Sequence, residues 1–267
     1  VLYDSSFEQI TQEQQEFKQY YPAEGLVEHD PEEIWSSVVN TVRSLMSKNN
    51  IDSSDVISIG ITNQRETVML WDKEGRVLNK AIVWQDRRTA EFCDELKTKG
   101  IESEVTTKTG LLLDPYFSAT KARWILKEHK IDSSKYFFGT IDTFLVWKLT
   151  EGKSFKTDVT NASRTLLFNI NDVKWDQDLI DIFDLDGLNL PEVTKNSANF
   201  GSTKLFGGEI KISGIAGDQQ ASLVGQGCFA SGQLKSTYGT GCFLMANTGN
   251  KRQNSSNKLL STIAYQI

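Results

Sequence analysis

The residues best equipped for chemistry lie between Gly214 and Phe243, in the stretch GIAGDQQASLVGQGCFASGQLKSTYGTGCF. An apolar segment, Ile212 to Ile215, ends at small residues and runs into Asp218-Gln219-Gln220, and Ala221 to Gly225 can begin a helix. Asp218 is therefore expected at a strand-to-helix corner, where first-turn amides and the helix dipole keep a carboxylate ionised. Such a group can accept a proton from an alcohol. Downstream, Gly239-Thr240-Gly241 forms a tight turn between the apolar runs Gln233 to Thr237 and Cys242 to Ala246. Glycines on both sides of a threonine let backbone amides and one hydroxyl approach a phosphate. A proton acceptor just ahead of such a turn points to phosphoryl transfer onto an alcohol. An N-cap aspartate followed by an ordinary hairpin fits the same residues, and the stretch alone does not choose.

Other polar clusters fall where strands are expected to end, which is where α/β sheets build their sites. In Arg65-Glu66 a guanidinium can donate to one hydroxyl while a carboxylate accepts from the next, the pairing a vicinal diol requires. A salt-bridged strand end is the alternative. Trp84, in VWQDRR, offers a flat wall to a carbon skeleton or simply packs in the core. Tyr116, in LDPYFS, presents a hydroxyl just before a helix, or is a surface aromatic.

These residues need a scaffold, and the hydrophobic pattern supplies one. Val56 to Ile61 reads as a buried strand, Thr67 to Trp71 and Lys80 to Trp84 as a pair around Gly75, Tyr136 to Gly139 and Thr165 to Phe168 as further strands, and Leu259 to Ile267 as another. Asp30-Pro31-Glu32-Glu33 is a helix start, and Ile34, Trp35, Val38, Val39, Val42, Leu45 and Met46 then keep helical spacing. Further helices are expected at 89–99, 118–128, 140–149 and 178–183. Alternating strands and helices indicate an α/β fold with a mixed sheet.

Composition narrows the function classes. Twenty-nine basic and thirty-five acidic residues give a net charge of −6. No basic stripe marks a nucleic-acid partner or an anionic membrane, no apolar run reaches spanning length, and the first residues do not read as a signal peptide. Cys93, Cys228 and Cys242 are odd in number and widely spaced, which fits reduced structural thiols in a cytoplasmic protein. With only His29 and His129, neither a His-rich metal site nor a Ser-His-Asp triad is expected, and His129 should be solvated.

The runs ITNQRETVMLWD, AIVWQDRRTAE, TGLLLDPYFSATKARWIL, FGTIDTFLVWKLT, TDVTNASRTLLFN, ISGIAGDQQASLVGQ and STYGTGCFLMANTG resemble, in collinear order over nearly the whole chain, the FGGY carbohydrate kinases that act on glycerol. The resemblance implies an actin/hexokinase-like, RNase-H-like mixed-sheet domain over 1–227 and the first hairpin of a second such domain over 228–267. It implies phosphorylation of glycerol to glycerol 3-phosphate by ATP with Mg²⁺. Glycerol would be held by Arg65, Glu66, Tyr116, Asp218 and Gln219, between apolar walls at Trp84 and Phe243. Asp218 would be the general base, and Gly239 with Thr240 the phosphate turn. Another FGGY polyol or sugar kinase, or a non-catalytic polyol-binding fragment, remains the alternative, and a homo-oligomer is left open. The family's first phosphate hairpin would precede Val1 and its adenine-binding half would follow Ile267. On that reading the 267-residue chain alone is expected to bind glycerol weakly and to lack kinase activity.

Overall fold

The structure, a computed structural model, describes every residue except Thr240. Strands and helices alternate along the chain, as the hydrophobic pattern predicts. Asp30 caps the first long helix, Pro31–Lys48, by accepting a hydrogen bond from the Glu32 amide, with proline in the first turn. Further helices are Ala90–Thr98, Ser118–His129, Ile141–Leu149 and Gln177–Ile182, close to their expected bounds. His129 is exposed, as expected.

A five-stranded antiparallel sheet runs in the order Gln19–Tyr20, Glu28–His29, Ala81–Ile82, Val68–Asp72, Tyr136–Thr140. Val68 and Leu70 pack into one apolar cluster with Phe117, Ile125 and Phe138, while Met69 and Trp71 pack into another with Ile141 and Phe144. This strand is thus buried on both faces. The approach is close: a Cβ on Gly139 would lie 2.4 Å from Trp71 Cη2, so no larger residue fits there without displacing the indole.

A second sheet orders Ser202–Thr203, Ile210–Gly217 and Ser58–Asn63. Ile210–Gly217 runs antiparallel to the first and parallel to Ser58–Asn63, with Ile215 opposite Ile61 and Gly217 opposite Asn63. This register matters for the site. It brings the residues just after Gly217 beside those just after Asn63, at the carboxyl ends of two parallel neighbours.

Several expectations are corrected. The strand at 58–63 is not buried: its residues alternate between exposed and half-buried up to Asn63, because it pairs on one side only. Leu259 to Ile267 forms no strand; it lies over the surface through isolated bonds such as Ser261 N to Gly110 O and Asn196 N to Gln266 O, both 2.9 Å. A helix at Glu102–Thr109 went unforeseen, as it carries almost no apolar stripe. The three cysteines are free, but Cys242 is exposed rather than structural. No helix among the described residues is long and apolar enough to cross a membrane.

Below the second sheet lies a buried polar cluster. Asp142 accepts from Thr140 Oγ1 at 2.5 Å, Thr157 Oγ1 at 2.7 Å and Asn63 Nδ2 at 3.3 Å. Asn63 and Asn161 exchange side-chain bonds of 3.0 and 3.1 Å, and Asn161 donates to Asp158 at 2.8 Å. Burial, helped by Asp158, pushes the Asp142 carboxyl up to about 6. The folded protein therefore holds a proton there between about pH 4 and 6 that the unfolded chain has lost, so this residue's contribution to stability falls as pH rises through that window. Asp142→Asn keeps the acceptor oxygen and can donate to Thr157. It is expected to remove a few kcal/mol of that pH dependence and to leave stability at pH 8 equal or higher. Urea unfolding of both proteins at pH 4.5 and pH 8 measures this; identical pH slopes would contradict it.

Candidate active site

The corner predicted for Asp218 is present: the Ile210–Gly217 strand passes directly into the Asp218–Gly225 helix, with Asp218 in its first turn. The Asp218 side chain is 43% exposed, the most open of the charged groups gathered here. Arg65, two residues beyond the end of the neighbouring parallel strand, reaches it, with Nε 3.1 Å from Asp218 Oδ1. Arg65 is buried, and Gly217 makes room for it, since a Cβ at 217 would fall 2.5 Å from Arg65 Cδ. Arg65 Nη1 donates to Gln220 Oε1 at 3.0 Å, whereas its Nε–H has a close anion but no well-aligned acceptor. Burial by itself would lower the Arg65 guanidinium; Glu66, Tyr116 and Asp218 more than offset this and hold it above its ordinary value.

Glu66 is 1% exposed and adopts a positive φ of 63°. The Thr67 amide donates to Arg65 O at 2.7 Å, closing a three-residue turn with Glu66 at its centre. Such a conformation costs a non-glycine residue roughly 1–3 kcal/mol, and it turns the Arg65 and Glu66 side chains toward one another. Glu66 Oε1 lies 3.8 Å from Arg65 Nε.

Aromatic rings close in beside these charges. Trp84 meets Tyr116 edge-on at 5.6 Å and Phe243 at 6.2 Å between ring centroids, and Arg65 lies 6.0 Å from the centre of Phe243. Gly241 allows this: its Cβ would lie 2.7 Å from Phe243 and 3.6 Å from Trp84. Burial, with Glu66 adding to it, pushes the Tyr116 hydroxyl up to about 12, against the pull of the Arg164 and Arg65 guanidinium groups. Tyr116 thus stays protonated, a donor at neutral pH.

Gln219 Nε2 donates to Asp218 Oδ2 at 3.0 Å, and Gln219 Oε1 accepts from Lys235 Nζ. Lys235 also donates to Thr237 Oγ1 at 2.8 Å. It belongs to the hairpin Leu234–Tyr238/Cys242–Ala246, close to the strands expected from the sequence, which pairs only with itself among the described residues. Gly239, at the hairpin's tip, is exposed and its amide donates to Gly241 O at 3.2 Å. Thr240 lies outside the described residues.

The structure thus gathers Arg65, Glu66, Trp84, Tyr116, Asp218, Gln219 and Phe243, which come from five separate stretches of sequence. Charged residues beyond that set also contribute. Arg164 Nε donates to Glu66 Oε1 at 2.6 Å. Lys121, fully buried, donates to Tyr116 O at 2.8 Å and Val83 O at 3.4 Å, tying together the loops that carry Tyr116 and Trp84. Burial pulls its ammonium down to about 7 against the attraction of Glu66 and Asp86. Neither residue nor Lys235 stands out by spacing; a lone cation within an apolar run was the available signal. Chemically, one donor, two acceptors and a protonated phenol converge beside a flat aromatic wall. Groups of these types can pair with adjacent hydroxyls on a small molecule, and the carboxylate at the edge is accessible.

Comparison with known proteins identifies the family. Residues 1–225 match the family described as FGGY family of carbohydrate kinases, N-terminal domain. A glycerol kinase from Sinorhizobium fredii is 54% identical over all of this chain and 55% of its own length. One from Rhizobium meliloti is 55% identical over 95% of this chain and 53% of its own. The crystal structure of Plasmodium falciparum glycerol kinase with ADP superposes with a TM-score of 0.92 at 37% identity, over 99% of this chain and 55% of that one. A xylulose kinase from Lactobacillus acidophilus, at 22% identity and a TM-score of 0.78, shares the fold. The chain therefore spans about half the length of the curated relatives it matches. The mixed α/β, actin/hexokinase-like architecture implied by the motifs is the one observed, and the chain belongs to the FGGY family of carbohydrate kinases.

Proposed function

We propose that the protein is an ATP-dependent glycerol kinase and that the Arg65–Glu66–Asp218 cluster is its acceptor site. The observation that carries this is the meeting of Arg65 Nε with two carboxylates, 3.1 Å from Asp218 and 3.8 Å from Glu66, beside the touching rings of Trp84, Tyr116 and Phe243. A three-carbon triol fits such a set: Arg65 donates to one hydroxyl, Glu66 accepts from its neighbour, and Tyr116 donates to either. Trp84 and Phe243 cover the carbon chain. The remaining terminal hydroxyl then faces Asp218, whose other oxygen is held by Gln219.

Asp218 acts as general base. As the terminal oxygen attacks the γ-phosphorus in line, its proton passes to the Asp218 carboxylate. A new O–P bond forms, the bond to the bridging β,γ-oxygen breaks, and ADP departs with those electrons. Gly239 and Thr240 serve the donor phosphates. Mg²⁺ would accompany the nucleotide and neutralise charge on its phosphates during transfer. The names of the relatives support glycerol as acceptor, and the ADP held in the Plasmodium falciparum glycerol kinase structure supports an adenine nucleotide as donor.

An ADP-release assay on the full-length protein with Mg-ATP and a panel of glycerol, xylulose and gluconate tests the proposal. Glycerol should give a kcat/KM at least about 100-fold above the others, since mispaired buried polar groups are penalised strongly. Preference for xylulose or gluconate would replace glycerol with that acceptor; no ADP release with any of them would remove the kinase reading.

A further inference from the structure

Resting on the acceptor site proposed above, we propose that Arg164 is a positioning residue that fixes the rotamer of Glu66, so that one carboxylate oxygen is committed to the protein and the other is left for the acceptor. The turn around Glu66 does not hold itself. A non-glycine residue at φ 63° relaxes unless its surroundings over-determine it, and the structure shows what does so. Ser118 Oγ donates to the Glu66 carbonyl at 3.1 Å, fixing the backbone. Arg164 Nε donates to Glu66 Oε1 at 2.6 Å, fixing the side chain. Among the described residues no hydrogen bond reaches Glu66 Oε2.

Arg164 is itself built in. It is 5% exposed, and its guanidinium lies 5.1 Å from the Phe117 ring centre and 5.7 Å from that of Tyr116. Its amide donates to Asn161 O at 3.0 Å in the turn that follows the short helix Val159–Ala162, and the Thr165 carbonyl accepts from the Ala119 amide at 2.9 Å. The arginine is thus anchored to the same helix start, Ser118–His129, that fixes the Glu66 carbonyl. A guanidinium confined between a carboxylate and two aromatic rings loses little further freedom on forming its bond, which suits a rigid support. Two cations flank Glu66, but they differ: Arg65 also faces the more open Asp218, whereas Arg164 meets the site at Glu66 Oε1 and at Tyr116, whose hydroxyl it also attracts.

The test is a double-mutant cycle in the full-length protein, with Arg164→Ala, Glu66→Gln and the double variant, run with the acceptor the wild type turns over best. Arg164→Ala should raise the acceptor KM about 10–100-fold, the range of one charge-assisted bond, with kcat changed only a few-fold. Adding Glu66→Gln should then cost less than it does in the wild type, because the carboxylate is already misplaced. Arg164→Lys, which keeps the charge but not the planar donor, should recover only part of the lost affinity. It carries the test if Arg164→Ala does not fold. Strictly additive effects, full recovery by lysine, or a KM unchanged in a folded variant would overturn the positioning role. A wild type that prefers an acceptor other than glycerol would overturn the choice of substrate and leave this cycle interpretable.

Discussion

Asp218→Asn is expected to lower kcat by roughly 10²–10⁴-fold, the usual share of a positioned general base, while glycerol affinity stays within a few-fold of wild type. Asparagine keeps the shape and one acceptor oxygen, so the bond from Gln219 can survive; what it loses is the capacity to take a proton. The placement of this carboxylate argues for that separation. It is the exposed member of the cluster, it sits in the first turn of a helix at the end of a strand, and its ion pair with Arg65 and hydrogen bond from Gln219 hold it without burying it. Steady-state kinetics with saturating Mg-ATP give both quantities. An asparagine variant turning over within a few-fold of wild type would remove Asp218 from the base role.

Arg65→Ala should act mainly on binding. A charge-assisted hydrogen bond is worth about 1.5–3 kcal/mol, so glycerol KM should rise by about one to two orders of magnitude. Burial adds a second consequence. Removing the cation leaves Glu66 with Arg164 as its remaining partner and opens a cavity beside Gly217, and breaking a buried pair typically costs about 3–5 kcal/mol. The variant should therefore melt earlier as well. Glu66→Gln is milder on both counts, because an amide oxygen still accepts. A glycerol KM unchanged by Arg65→Ala would return Arg65-Glu66 to the simpler reading, a salt-bridged strand end.

The parts of this protein written in local rules were legible from its sequence. Asp30-Pro31 starts a helix through a side-chain cap and a fixed proline φ, and both are interactions within a few residues. The Asp218 corner was legible because a short apolar run met small residues and then a helix-former. What local rules could not supply was long-range compensation. The turn at Glu66 places a glutamate where glycine would be the usual choice, and its supports, Arg164 and Ser118, lie 98 and 52 residues away. Lys121 and Lys235 reach the site the same way, as isolated cations whose hydrogen-bond partners are carbonyls, an amide or a hydroxyl rather than acids. The strand at 58–63 misled for a related reason: its β-branched run fits a buried strand, but burial depends on a second neighbour that the pattern cannot count.

The central claim is spatial, so the measurement that meets it most directly is a crystal structure of the protein with glycerol. Density for the triol should lie among Arg65, Glu66 and Tyr116, against Trp84 and Phe243. One terminal oxygen should lie within about 2.6–3.2 Å of the Asp218 carboxylate, the reach of proton transfer. Glycerol bound elsewhere, or bound there with both terminal hydroxyls turned away from Asp218, would contradict the account.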